Sequence, residues 1–162
     1  MVLLCVLLAG CGAEAAPSYT KQGMEAVESL DYEKALALFQ TAEENGEEKR
    51  LLYRGMGLAY LGKTDYEAAI AYLEAALHLG SGRVENLDFD INYYLATAYY
   101  KNGRLQDAVR VYDAILGLRP EETNAYYLRG CVKLAEGNFE AAQTDFDTAI
   151  VQEPKNYDRM IR

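Results

Sequence analysis

"NFEAAQTDFDTA", residues 138–149, decides the fold, because its pattern occurs three more times upstream: "DYEKALALFQTA" from Asp31, "DYEAAIAYLEAA" from Asp65 and "RLQDAVRVYDAI" from Arg104. Aligning them brings Ala35, Ala69, Ala108 and Ala142 into register, in frames of 34 residues over 16–49, 50–83, 89–122 and 123–156. Only Val84 to Asp88 breaks the phase. Self-similarity at this period marks a stack of identical supersecondary units, each burying its apolar face against the next. Inside each copy the apolar residues recur at spacings of three and four, as in Ala35, Leu38, Phe39 and Ala42, which form one face of a helix. Strand-like alternation is missing. Gly103 and Gly137 suit the left-handed residue that ends a helix, and Pro120 and Pro154 cannot continue one.

The order of large, small, aromatic and Pro positions resembles the tetratricopeptide repeat over residues 16–156. The fourth copy matches most fully, through Tyr126, Gly130, Gly137, Ala142, Phe146, Ala149 and Pro154. The third keeps Leu95, Ala96, Tyr99, Gly103, Ala108, Tyr112 and Pro120, with Asn92 and Ile115 departing. The second has Tyr53, Gly57, Tyr60, Tyr66, Ala69, Leu73 and Ala76, with Thr64 where the turn Gly belongs. The first has Tyr19, Gly23, Ala26, Tyr32, Ala35, Phe39 and Ala42, with Leu30 at the turn. The resemblance implies an all-α, right-handed superhelical solenoid of four helix-turn-helix repeats. It also implies a non-enzymatic scaffold that holds a protein or peptide on its concave face.

The family lines that face mainly with five positions of each first helix. Carried over, they give a groove of Met24, Arg54, Leu58, Tyr93, Thr97, Tyr100, Lys101, Tyr127 and Cys131, flanked by Thr20, Val27, Leu61 and Leu134. The groove reads as apolar and aromatic with two cations. Chaperone-binding members clamp a carboxylate with Lys, Asn and Arg, where this chain has Thr20, Met24, Tyr93, Thr97 and Tyr127, so a clamp of that type is not expected. Lys133 stands where the family packs an aromatic, and its stem is expected to snorkel past a loosened hairpin contact. Residues 157–162 follow the last repeat as a partial cap, so Phe146, Ala149 and Ile150 are expected to form a partly uncovered C-terminal face. Either a longer natural chain or another surface would cover it, and self-association there is the second functional reading.

The start, "MVLLCVLLAGCG", places Leu8, Ala9, Gly10 and Cys11 after a short apolar run and resembles a bacterial lipobox. The run is too short to span a bilayer. The reading is a signal peptide over 1–10, lipidation at Cys11, a tether over 11–15, and residence at the outer face of a bacterial membrane. No Lys or Arg precedes the run, which leaves two alternatives open: a start upstream of Met1, or a buried N-terminal helix.

A chain of 162 residues at net charge −9 lacks the clustered cations that nucleic acid or anionic lipid demands, so membrane attachment is expected through lipid alone. With Cys5 in the leader and Cys11 acylated, Cys131 has no partner for a disulfide. One histidine, His78, near a helix end, gives catalytic or metal chemistry little to draw on, and no cofactor is expected. Asp88 to Asp90 reads as an acid-rich helix start, and "EENGEEK" around Asn45 and Gly46 as a solvated turn. A non-catalytic subunit of an envelope enzyme complex is the third reading.

Overall fold

A computed structural model describes residues 18–152. Those residues form eight helices: α1 (Tyr19–Glu28), α2 (Tyr32–Glu44), α3 (Lys49–Gly62), α4 (Tyr66–His78), α5 (Asn86–Lys101), α6 (Leu105–Leu118), α7 (Thr123–Ala135) and α8 (Phe139–Gln152). Each odd-numbered helix packs against the next as a hairpin, and each hairpin stacks on its neighbour. The product is an all-α solenoid. Among the described residues, first helices also touch across repeats, α1 on α3 and α3 on α5, whereas second helices make no comparable contact with one another. The first helices therefore line the inner, tighter side of the curve.

The second helices start on short polar side chains that fill an otherwise unpaired backbone N–H. Asp31 Oδ1 accepts from Lys34 N at 3.2 Å, Asp65 Oδ1 from Ala68 N at 3.1 Å, and Asn138 Oδ1 from Ala141 N at 3.3 Å. Repeat three has Arg104 there instead, which lies 4.4 Å over the Tyr99 ring and donates to Asp107 at 2.6 Å. All four intra-hairpin turns hold one residue at positive φ: Leu30 (61°), Thr64 (62°), Gly103 (77°) and Gly137 (79°). Two copies meet that geometry with Gly and two accept side-chain strain, most acutely at the β-branched Thr64.

In repeats one, two and four, a ring or Leu from the second helix presses on a glycine of the first. A Cβ built on Gly23 would lie 2.5 Å from the Phe39 ring, on Gly57 2.6 Å from Leu73, and on Gly130 2.7 Å from Phe146. This close approach explains why Phe39 and Leu73 are fully buried. It also corrects the expected C-terminal face. Phe146 turns toward its own hairpin, 5.7 Å from the Tyr127 ring, and Ala149 is fully buried, so the face is reduced to the part of Phe146 and Ile150 that stays half-buried. The exposed apolar residues of α8 are instead Phe139 and Val151, 70% and 78% exposed.

Lys133 does not snorkel. Its Nζ lies 2.9 Å from Asp145 Oδ2, and Arg129 grips the same carboxylate with Nε at 2.9 Å and Nη2 at 2.6 Å while Nη1 reaches Asp113 at 2.6 Å. Asp145 is nearly sealed from water, with its side chain 4% exposed. Burial alone would raise its pKa, but the two cations outweigh that and hold it below the ordinary carboxylate value.

The phase break is structured as well, since α5 begins at Asn86 and absorbs residues the 34-residue frame leaves out. Asp88 accepts from Glu85 N at 2.7 Å, as a helix-capping acid should. Buried Arg50 then stitches the break, donating to Glu85 at 2.9 Å, to Asp88, and to the Ala76 carbonyl at 3.3 Å. One guanidinium thereby joins the start of repeat two, its end and the start of repeat three.

Candidate functional site

The inner face is built by α1, α3, α5 and α7. Met24 and Arg54 meet at its N-terminal end, with Arg54 Nη1 3.9 Å from the Met24 sulfur. Arg54 is not a free cation, because Nε donates to Asp90 and the guanidinium lies 5.6 Å over the Tyr94 ring. Leu58, expected in the groove, is buried and offers a ligand little surface. Tyr93 is half-buried 6.2 Å from Tyr112, and its hydroxyl, without a protein partner, is sealed from the surface. Burial pushes its pKa well up. The Thr97 hydroxyl is spent on the Tyr93 carbonyl at 2.9 Å.

The remaining expected residues stay at the surface. Tyr100, Tyr127 and Cys131 are partly exposed, Lys101 is exposed 5.8 Å over the Tyr100 ring, and Leu134 is exposed at the far end. Burial raises the Cys131 thiol pKa, which leaves it a poor nucleophile. Met24 and Arg54 thus meet in one recess, while Tyr100 and Lys101 keep surface on α5 and Tyr127 and Cys131 on α7. Leu58 is withdrawn into the core, and Tyr93 and Thr97 serve mainly packing and helix bonds. Cys11 lies outside the described residues.

Four residues at this end of the groove lie outside the expected set. Leu51 and Asp90 both occupy the second position of their frames, a groove position, and that register was the signal for them. Glu47 had none: in the turn expected to be solvated, its carboxylate caps α1, accepting from Tyr19 N at 2.7 Å, Thr20 N at 3.0 Å and the Ser18 hydroxyl at 2.9 Å. The Thr20 backbone bond, chief among these, lowers its pKa to about 2. Glu48 does the same for α3, accepting from Arg50 N at 2.8 Å and Leu51 N at 2.9 Å. Between these two capped helix starts lies a recess of about 890 Å³, walled by Tyr19, Met24, Leu51 and Arg54 among others.

A family model described as tetratricopeptide repeat matches residues 20–84 and 54–123, and a second of the same description matches 123–156. The chain belongs to the tetratricopeptide repeat family. It is similar to Superkiller protein 3 of Saccharomyces cerevisiae, 31% identical over 77 residues, which are 48% of this chain and 5% of that protein. Among solved structures it resembles YrrB, described as a TPR protein with an unusual peptide-binding site, at TM-score 0.75 and 22% identity over 88% of this chain and 71% of that one. It also resembles MamA, at 0.70 and 19% over 88% and 83%, and the APC/C hetero-tetramer Cut9-Hcn1, at 0.74 and 20% over 89% and 29%. At these identities the likeness is one of fold. Among the described residues no helix is long and apolar enough to cross a membrane, and no His, Cys, Asp and Glu cluster is arranged to hold a metal.

Proposed function

We propose that this repeat protein is a non-enzymatic scaffold that holds a peptide or protein segment along the inner face of its first helices, tethered to a bacterial membrane by lipid on Cys11. One observation carries the groove reading: on the first helices, Leu51 and Leu134 are exposed, and Met24, Tyr100 and Tyr127 keep part of their surface free while their other side packs on the hairpins. Aromatic side chains with part of their surface free are favoured anchors at interfaces. Family membership and the peptide-binding description of YrrB support the same reading by analogy. Affinity capture with the full chain tests it. A species held by wild type and lost by Tyr100→Ala/Tyr127→Ala, at unchanged helicity, is expected; retention by that variant removes the groove reading.

The lipid tether rests on Leu8 to Cys11 and the apolar run ahead of them. Expressed in a bacterium, wild type should enter the detergent phase and Cys11→Ser should not. Equal partitioning into water ends the lipoprotein reading and leaves a cytosolic or simply secreted solenoid.

End-to-end self-assembly is less well supported. The face by which a first helix meets the preceding repeat carries Leu52, Gly55 and Ala59 in α3, Ile91, Tyr94 and Ala98 in α5, and Ala125, Leu128 and Val132 in α7. In α1 the same positions are Ser18, Lys21 and Glu25, all exposed. Stacking another copy there would desolvate charges for little apolar return.

A further inference from the structure

The recess at the N-terminal end of the groove has a chemistry that narrows its occupant, an inference that rests on the groove reading above. Helix N-termini ordinarily attract anions, yet both that open here have their N–H groups taken by this chain's own carboxylates, Glu47 on α1 and Glu48 on α3. Glu47 keeps its charge down to about pH 2. The one guanidinium in the wall, Arg54, is neutralised by Asp90. The rest of the wall is polar at Ser18, Thr20 and Asn45, carries the exposed Lys21 ammonium, and is apolar at Met24 and at Leu51, 46% exposed although it sits in the recess wall. Around this lies a chain of net charge −9, whose field repels acidic ligands before they arrive.

We infer that the groove takes an extended peptide segment that is apolar and basic, seating an aliphatic or aromatic side chain on Met24 and Leu51 with its Lys or Arg residues beside Glu47 and Glu48. A segment rich in Asp and Glu is disfavoured by these carboxylates and by the net charge of −9, although Lys21 stands beside them. The partner is thus the reverse of an acidic peptide held by a basic clamp.

Fluorescence polarisation on the full chain tests this with three short labelled peptides identical in their Leu and Ser residues, the variable positions being Lys, Gln or Glu. The Lys peptide should bind at least tenfold tighter than the Glu peptide, with the Gln peptide between them. Leu51→Ser, at an exposed position, should weaken the Lys peptide about tenfold without loss of helicity. Lys21→Glu, in the recess wall, should tighten it severalfold, whereas Lys34→Glu, on exposed α2 away from the groove, should leave it nearly unchanged. Equal tightening by both charge reversals would mean diffuse attraction to an acidic protein and overturn the inference, as would absence of saturable binding. Equal affinity for the Lys and Glu peptides, both weakened by Leu51→Ser, overturns the charge preference and leaves the groove standing. Indifference of every peptide to Leu51→Ser and Tyr127→Ala removes the groove itself.

Discussion

Repeats two and four place opposite chemistries on equivalent positions of one fold. In repeat two, Tyr60 stacks on Tyr72 with ring centroids 5.4 Å apart and planes 6° from parallel, and Tyr53 meets Tyr72 edge-on at 5.7 Å. In repeat four, the positions of Tyr60 and Tyr72 are held by Lys133 and Asp145, and the space is filled by an ion cluster with Arg129. Both hairpins nevertheless close on the same contact, a bulky apolar side chain against a glycine, Leu73 on Gly57 and Phe146 on Gly130. The hairpin thus depends on a small residue facing a large one. The neighbouring layer accepts any complementary pair, provided that both members change together.

The largest effect should come from breaking that complementarity. Asp145→Ala strands Arg129 and Lys133 with little water to solvate them, and should cost roughly 3 kcal/mol, the low end for a buried pair because both cations retain some exposure. Arg129→Met/Lys133→Tyr/Asp145→Tyr, which copies repeat two, should return to within about 1 kcal/mol of wild type in urea unfolding. A triple variant as weak as Asp145→Ala would show that the layer is not interchangeable.

The shared glycine contact should respond next. Gly23→Val drives a branched side chain at the Phe39 ring and should cost about 2 kcal/mol. Amide protection should fall in α1 to α4 and hold in α7 and α8, since each repeat touches only its neighbours. A uniform loss along the array would contradict nearest-neighbour coupling.

The two chemistries should also separate by pH. Burial pushes Tyr99 and Tyr112 to about 12, so the stability they contribute is complete below their ordinary value of 10 and is lost as pH rises through about 12. Asp145 is shifted the other way, so its contribution is present above 3.8 and is lost as pH falls below that. Amide exchange should therefore show repeat three loosening ahead of repeat four in alkali, and protection around Asp145 in repeat four falling in acid; repeat four loosening first in alkali would refute the contrast.

The smallest effect concerns the turns. Leu30→Gly and Thr64→Gly relieve a left-handed residue and should each stabilise by about 0.5–1 kcal/mol, whereas Gly103→Ala and Gly137→Ala should destabilise by about 1 kcal/mol. Thermal melts of the four variants give the sign directly.

The sequence by itself determined the repeat, its register and the eight helices, because a hairpin of this kind is specified locally: small and large residues at fixed spacing, a capping Asp or Asn, a turn. It also determined that all four turns occupy one position of the frame, although Leu30 and Thr64 hide that geometry. Only the tertiary structure decided which groove residues are available. Leu58 and Tyr93 sit on groove positions by register, yet one is buried and Tyr112 flanks the other, and Arg54 is spent on Asp90 from the next hairpin. Glu47, Arg50 and Asp145 were equally unreadable, since each works through partners tens of residues away or on another helix. The hairpin is encoded by spacing along the chain, whereas the charge and exposure of its inner face depend on how successive hairpins meet, and those pairings have no fixed spacing to read.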